Sequence, residues 1–420
     1  MKKRTLVMVG LLLSTGILAA CGPSGDTTDE KKSGSEEKTL LIWEDLESKK
    51  GLEEAAKRFE EEKGITIEFA EKGLASQIEA LRLDGPSGSG PDIITIPSNQ
   101  VSAAAREGLL AELDLDSELT NSFTEVAMES QKYEGKYYGV PKATDTTVLF
   151  YNRELLSEED LPQTVSEWYD FSKKFMTDNP GKYGLISVWD QFYYTHSLSE
   201  GYGAYIFGEN ADGTYDFDDI GLNNEGAIEA AEIVQKFYQD GIIPQGVIGE
   251  NGISALDSLF TEGKAAAVIS GAWNFGPYEA AGIDYGVTIL PQLDNGKQMG
   301  SFLTTKCYNV SSYSENKELA QEFLEYISEF DQAKERFEVM QEIPPLKELL
   351  EDPIIKDNEK ARAISEQSQI AFSYPTVPEM NEVWLPMDAA FQTIATGKAE
   401  PKDALDDAVK IIKTQIETNY

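Results

Sequence analysis

Positive charge is scarce in this sequence. Its 420 residues hold 36 Lys+Arg against 74 Asp+Glu, a net charge of −38. Nucleic-acid binding draws its affinity from Lys and Arg neutralising phosphates, so a polyanion would be repelled, and an anionic membrane surface likewise. Histidine is nearly absent. His196 is the only one, which excludes a His-rich metal site and leaves little scope for His-based acid–base chemistry. There are only two cysteines, Cys21 and Cys307, and neither a GxSxG nor an HExxH pattern occurs. What is present is an ordinary globular composition: 41% hydrophobic and 10% aromatic residues, so the charge does not signal disorder. The length suits two to three domain equivalents with ample core.

Lys2, Lys3 and Arg4 precede an apolar stretch, Thr5 to Ala20, too short for a comfortable transmembrane helix. It ends in Leu18-Ala19-Ala20-Cys21, which resembles the bacterial lipoprotein lipobox. The resemblance implies cleavage before Cys21 and lipid on that cysteine, with several acyl chains as a firm anchor. Removal of residues 1–20 takes away three positive charges and no acids, moving the charge from −38 to −41. It also leaves Cys307 alone, with no intrachain disulfide possible; a buried structural thiol in a strand is expected there. Residues 22–38, Gly/Ser/Thr with mixed charge, read as a flexible tether. The folded part is expected over 39–420.

Strand and helix alternate from its start. Thr39 to Trp43 is a buried strand by pattern. The stretch 51–63 places Leu52, Ala55, Ala56 and Phe59 on one helical face before Gly64, and Ile65 to Phe69 alternates as a second strand. A Gly/Ser/Pro turn (85–91) leads into a strand at 92–96 and a helix ending at Gly108. Farther on, the patterns predict strands at 148–151, 265–270 and 285–290 and helices at 165–176, 225–239, 318–327 and across Leu405–Ile416. No internal repeat or dividing linker is evident. The reading is an α/β fold with largely parallel sheets.

Several motifs have plainer explanations. Gly85-Pro-Ser-Gly88-Ser-Gly90 precedes a strand, whereas phosphate loops follow a strand and open a helix, so it is a surface turn. The acids around Asn210–Asp219 are better explained by an Asp212-Gly213 hairpin than by calcium. Glu44-Asp45 and Asp145 are acids that flank apolar strands, where the carboxyl ends of a parallel sheet face a ligand crevice. The aromatics are the clearest local signal: Trp189, Phe192, Tyr193, Tyr194, Tyr202, Tyr205 and Phe207 within one stretch, then Trp273 and Phe275 between glycines, then Trp384. Core filling is expected for roughly half of these rings, while Gly, Pro and Asn neighbours predict loop ends for others. Flat rings with carboxylates are the chemistry of sugar binding, in which the C–H face of a pyranose packs on a ring and its hydroxyls donate to carboxylates.

In order along the chain, Leu40-Leu-Ile-Trp43, Gly90-Pro-Asp-Ile-Ile94, Gly108-Leu-Leu-Ala-Glu112, Pro141 through Tyr151-Asn152, Ile269-Ser-Gly-Ala-Trp273, Tyr285-Gly-Val-Thr-Ile-Leu-Pro291 and Asn316-Lys-Glu-Leu-Ala320 resemble landmarks of one family. It is the bacterial extracellular solute-binding lipoproteins of the maltose/maltodextrin-binding group, which deliver oligosaccharide to an ABC importer. The resemblance implies a two-lobed periplasmic-binding-protein-like α/β fold, discontinuous in sequence, each lobe a mainly parallel sheet flanked by helices. The N-terminal lobe is expected at 39–145 plus about 306–350, the C-terminal lobe at about 148–302 plus 353–420, and the ligand between them. Trp273 and Trp384 match ring-stacking positions, as does Tyr193, with Tyr194 beside it; Phe275 lines the cleft. Asp145 matches a carboxylate that bonds sugar hydroxyls, and Asp45, with neighbouring Glu44, a polar contact after the first strand. Lys72 stands near a family lysine. Departures are Ile96, where a stacking Trp can occur, Asn99-Gln100 in place of an Asp-Arg pair, and Asp388 in place of an Arg. Asn99 is kept as a candidate contact.

The expectation is a non-catalytic, monomeric receptor for maltodextrin-type oligosaccharide, with no cofactor and no metal. It would partner ABC permease subunits and be lipid-anchored at Cys21 on the extracellular face of a Gram-positive cell membrane. Another oligosaccharide is the alternative ligand. An extracellular glycosidase, using two carboxyls that face each other across one bond, is the rival from another class.

Overall fold

The computed structural model describes residues 38–210 and 214–420. The predicted signal segment, Cys21 and all of the tether before Lys38 lie outside the described residues, as does the Asp212-Gly213 turn, although its flanks Gly208–Glu209 and Tyr215–Asp216 pair antiparallel as a hairpin requires. Among the described residues, no helix is long and apolar enough to cross a membrane.

Two sheets organise the chain. The first has the spatial order Thr66–Glu71, Thr39–Glu44, Ile93–Pro97, Thr304–Val310, Gly139–Asp145. Its first three strands are parallel, with Thr39 opposite Thr66 and Ile42 opposite Ile93, while Thr304–Val310 runs antiparallel to both of its neighbours. Parallel neighbours need a crossover, and the helix Glu53–Lys63 supplies one. It buries Ala55, Ala56 and Phe59, and Gly64 ends it at φ 66, a left-handed turn that glycine takes without a Cβ clash.

The second sheet has the order Tyr285–Thr288, Thr147–Asn152, Ala265–Gly271, Tyr183–Ile186. Thr147–Asn152 is antiparallel to both neighbours, and the outer pair Ala265–Gly271 and Tyr183–Ile186 is parallel. Strand direction is therefore mainly parallel in both sheets, with one reversed strand in each. Both reversed strands are the ones that arrive from the other sheet: Thr147–Asn152 continues from Asp145 through Thr146 alone, and Thr304–Val310 follows the second sheet. Neither needs a helical crossover to its neighbour, so neither is held to the parallel direction.

The first sheet is covered on both faces. Leu40, Ile42 and Val310 pack with Phe59, Phe323 and Ile327 on one side; Ile94, Ile96 and Cys307 pack with Ile78, Leu81 and Val101 on the other. In the second sheet every residue of Ala265–Gly271 is buried, which is why that strand reads as an unbroken small and apolar run. Cys307 is a buried free thiol on its strand; its Sγ accepts from Gln131 Nε2 at 2.8 Å, and burial pushes it well above the usual thiol range.

Of the rings in 189–207, Trp189, Tyr202, Tyr205 and Phe207 stand in the turns on either side of a helix, as their neighbours suggested, but Phe192, Tyr193 and Tyr194 lie within it. Phe192–Gly201 is a helix, and eight of its residues are buried. A helix enclosed on nearly all sides shows no amphipathic stripe, so its period is invisible in sequence. Its N-terminus is supported from far along the chain: the Phe192 N–H donates to Asp388 Oδ1 at 2.7 Å.

Candidate functional site

Loops at the carboxyl ends of the parallel strands in the first sheet carry Asp45, Lys72 and Asn99. Asp45 turns its carboxylate onto backbone: Oδ1 accepts from Leu46 N at 2.8 Å and Leu74 N at 2.9 Å, which ties the loop after the first strand to the loop after the second. Lys72 lies with Nζ 3.6 Å from the centre of the Trp43 ring and 3.2 Å from Asp84. Asn99 is exposed and lines a small depression of about 40 Å³ with Tyr374 and Trp384. Glu44 departs from expectation. It is 0% exposed, and its Oε1 lies 2.6 Å from Lys142 Nζ, so it is an internal ion-pair partner and not a wall residue.

A larger cavity of about 510 Å³ lies where the end of Gly139–Asp145 meets the end of Ala265–Gly271. Asp145, Trp273, Phe275, Lys306, Glu342 and Lys360 line it. Trp273 is 41% exposed, a large ring left open beside a carboxylate. Its position depends on Gly271, where a Cβ would fall 2.1 Å from the indole. Phe275 packs 5.5 Å from Phe150 and carries the Lys360 ammonium 5.5 Å above its ring.

The backbone N–H groups of Thr146 and Ala272 favour the ionised form of Asp145, while its Oδ1 has no hydrogen-bond partner among the described residues. Burial pushes its carboxyl up to about 6, opposed by the charge of Lys306 and assisted by that of Glu342. Glu342 behaves oppositely. Burial alone would raise it, but Lys142 and Lys306, the latter 2.6 Å away, hold it down at about 2. Two acids in one cavity thus have different characters: one firmly ionised and neutralised by lysines, the other only partly compensated.

Tyr193 links this cavity to the Asn99 depression. Its ring stacks on Phe302 at 5.6 Å, and burial and then the Asp145 charge raise its phenol. Phe302 in turn lies 5.4 Å from Tyr374 and 5.9 Å from Trp384. Trp384 is half-buried in this cluster, also touching Phe192 at 5.7 Å. Tyr194 is 5% exposed and packs edge-on against Tyr193 at 5.2 Å, which places it behind the wall. The structure therefore brings together Asp145, Tyr193, Trp273, Phe275 and Trp384, with Asn99 at one end. Asp45 and Lys72 stand apart on the first sheet's rim, and Glu44 and Tyr194 are interior.

Four cavity or cluster residues escaped the sequence reading: Lys306, Glu342, Lys360 and Tyr374. Lys306 had a signal, a lysine inside a strand. Glu342 and Lys360 are two acid or base residues among many on a charged chain, and Tyr374 sits in an unpatterned segment.

Residues 54–363 match the family described as bacterial extracellular solute-binding protein. A galactooligosaccharide-binding protein of Bacillus subtilis (strain 168) is 48% identical over 419 residues, 100% of this chain and 98% of that protein. A maltodextrin-binding protein of the same organism is 32% identical over 100% of this chain and 99% of its own length. A maltooligosaccharide ABC transporter solute-binding lipoprotein of Streptococcus pneumoniae (strain ATCC BAA-255 / R6) is 30% identical over 100% of this chain and 98% of its own. A solved cyclo/maltodextrin-binding protein in complex with maltotetraose superposes with a TM-score of 0.85 at 36% identity, covering 92% of this chain and all of that one. These are solute-binding proteins, not enzymes, and with them the chain belongs to the bacterial extracellular solute-binding proteins.

Proposed function

We propose that this protein is a receptor that captures a neutral oligosaccharide between two lobes and hands it to an ABC importer. The observation that carries the reading is the open Trp273 ring set beside Asp145 in the cavity. A ring supplies an apolar face for a pyranose, and a carboxylate accepts from its hydroxyls. The lobes are 39–145 with about 306–350, and about 148–302 with 353–420. Closure is a population shift: the open form samples closure, and ligand touching both lobes stabilises it.

Among ligands we favour a galactose-containing oligosaccharide, because the galactooligosaccharide-binding relative is 48% identical where the maltodextrin-binding one is 32%. The departures at Ile96, Asn99-Gln100 and Asp388 agree with this preference. Maltodextrin is the second reading, supported by the fold match to a maltotetraose complex. The protein acts as a monomer, lipid-anchored at Cys21 on the outer face of a Gram-positive cell membrane. Lipobox residues before Cys21 and the lipoprotein relative support that placement.

Calorimetric titration with a galactotetraose, maltotetraose and a β-linked glucan control tests the ligand. Saturable binding of the first is expected. Absence of binding to every sugar, or sustained hydrolysis of any, sinks the receptor reading.

A further inference from the structure

Lys142 lies on the crossing strand Gly139–Asp145, between Pro141 and Ala143, with its side chain 1% exposed. Its ammonium is 2.6 Å from Glu44 Oε1 and 3.6 Å from Glu342 Oε2. Glu44 Oε1 also accepts the Asp45 N–H at 2.9 Å and the Thr95 hydroxyl at 3.2 Å. Asp45 is thus fixed through its backbone by a carboxylate that a buried lysine holds in place. On the other side, Glu342 reaches Lys306, whose strand pairs with that of Lys142 and borders Asp145. Arg336, 3% exposed, donates to the Lys142 carbonyl at 3.3 Å. Glu44, Glu342 and Asp145 face Lys142, Lys306 and Arg336: three acids, three bases, drawn from five separate segments and running from the Asp45 loop to the cavity.

Charges buried in this way are costly to desolvate, and an apolar pair of similar volume is often as stable. Fold stability alone does not explain such a network. We propose that Lys142 is a positioning residue for ligand capture. It does not touch ligand, being buried, but sets the Asp45 loop through Glu44 and the cavity floor through Glu342 and Lys306. The inference rests on the oligosaccharide-receptor reading.

The test uses the purified protein with galactotetraose and maltotetraose as probes, by titration calorimetry. Lys142→Met/Glu44→Leu removes both charges and the acceptor for the Asp45 N–H together. Stoichiometry should hold while Kd rises about tenfold, equivalent to about 1.4 kcal/mol. Misfolding would instead lower the stoichiometry at unchanged Kd. Asp45→Ala should weaken binding in the wild type yet add little in the double variant, since both act through one loop. Wild-type Kd in the double variant, or an Asp45→Ala effect that is absent from the wild type or undiminished in the double variant, overturns the positioning role. Should the apolar pair not fold, Lys142→Gln/Glu44→Ala, which likewise removes both charges and the acceptor for the Asp45 N–H, makes the same comparison, with the same outcomes deciding. A wild type that binds no sugar fails the receptor reading instead.

Discussion

Asp145→Asn should make the ligand-free protein more stable at neutral pH and a weaker binder, both at once. In the folded state burial raises the Asp145 carboxyl from 3.8 to about 6, so the fold prefers the proton that the unfolded chain has already released. Between those two values the native state binds more protons, and stability falls as pH rises through about 4 to 6; below 3.8 the penalty is absent, above 6 it is complete. The gap corresponds to about 3 kcal/mol at neutral pH. Asparagine keeps the shape and removes the charge, but an amide oxygen holds the Thr146 and Ala272 N–H groups less strongly than a carboxylate. The return should therefore be about 1–2 kcal/mol. The groups facing Asp145 are Lys306, Glu342, Tyr193 and Tyr194. Lys306 is raised, Glu342 is held at about 2 and both phenols are raised, so none of them titrates in this window. Urea unfolding of both proteins from pH 4 to 7.5 gives the answer. A stability difference that grows from near zero at pH 4 to its full size at pH 7 supports the argument. An Asn variant that is less stable at pH 7, or a difference independent of pH, refutes it. Sugar hydroxyls donating to Asp145 should stabilise its ionised form, so wild-type affinity should rise over the same interval and that of the variant should not.

Trp273→Ala and Trp384→Ala should each weaken sugar binding by about 1–3 kcal/mol in calorimetry if the rings stack on ligand. Only Trp384→Ala should also lower Tm, because Trp273 is 41% exposed whereas Trp384 packs among Phe192, Phe302 and Tyr374. His196 is 2% exposed, stacks on Phe302 at 5.0 Å, and burial lowers it to about 3. The unfolded chain therefore binds the extra proton first, and stability is lost as pH falls from 6.5 towards 3. His196→Phe should flatten that acid limb in thermal melts recorded at a series of pH values. Cys307 should resist a disulfide-exchange reagent in the native protein and react at once in denaturant, since its thiol is buried and held protonated.

The fold was legible where one face of an element is polar. The helices Glu225–Gln239 and Lys317–Ile327 and the alternating strand Thr66–Glu71 all stand close to where periodicity put them. It was least legible where burial is complete. The Phe192–Gly201 helix is buried on nearly all sides, polar residues included, and its start is held by Asp388, nearly two hundred residues away, which no local pattern reports. Helix Asn381–Ala395 carries Pro386 in its interior, a residue that ordinarily argues for a break. Among site candidates, rings were easier to find than charges. Trp273 and Trp384 are rare residues in distinctive surroundings. Glu44, equally distinctive at a strand end, proved to be paired inside, because a strand end has two faces and sequence alone does not say which one the side chain takes.

The position of Asp388 shows why a match of position is weaker than a match of chemistry. Where the resemblance offers an arginine to the cleft, this chain has an acid, and the acid is turned away: Oδ1 accepts the Phe192 N–H at 2.7 Å. An arginine has no acceptor and could not do this. Compared with that arginine the acid offers no cationic donor, and it gives the Tyr193-bearing helix a fixed start. Asn99-Gln100 acts in the same direction, replacing a charged pair by neutral groups. The wall near Trp384 thereby loses charge, while Lys306, Glu342 and Asp145 concentrate it around Trp273. A ligand that spanned both regions would meet rings and neutral groups at one end and a poised carboxylate at the other. Discrimination among oligosaccharides should therefore rest on the sugar unit held against Trp273, where a missing or misplaced hydroxyl leaves Asp145 without its donor and costs most.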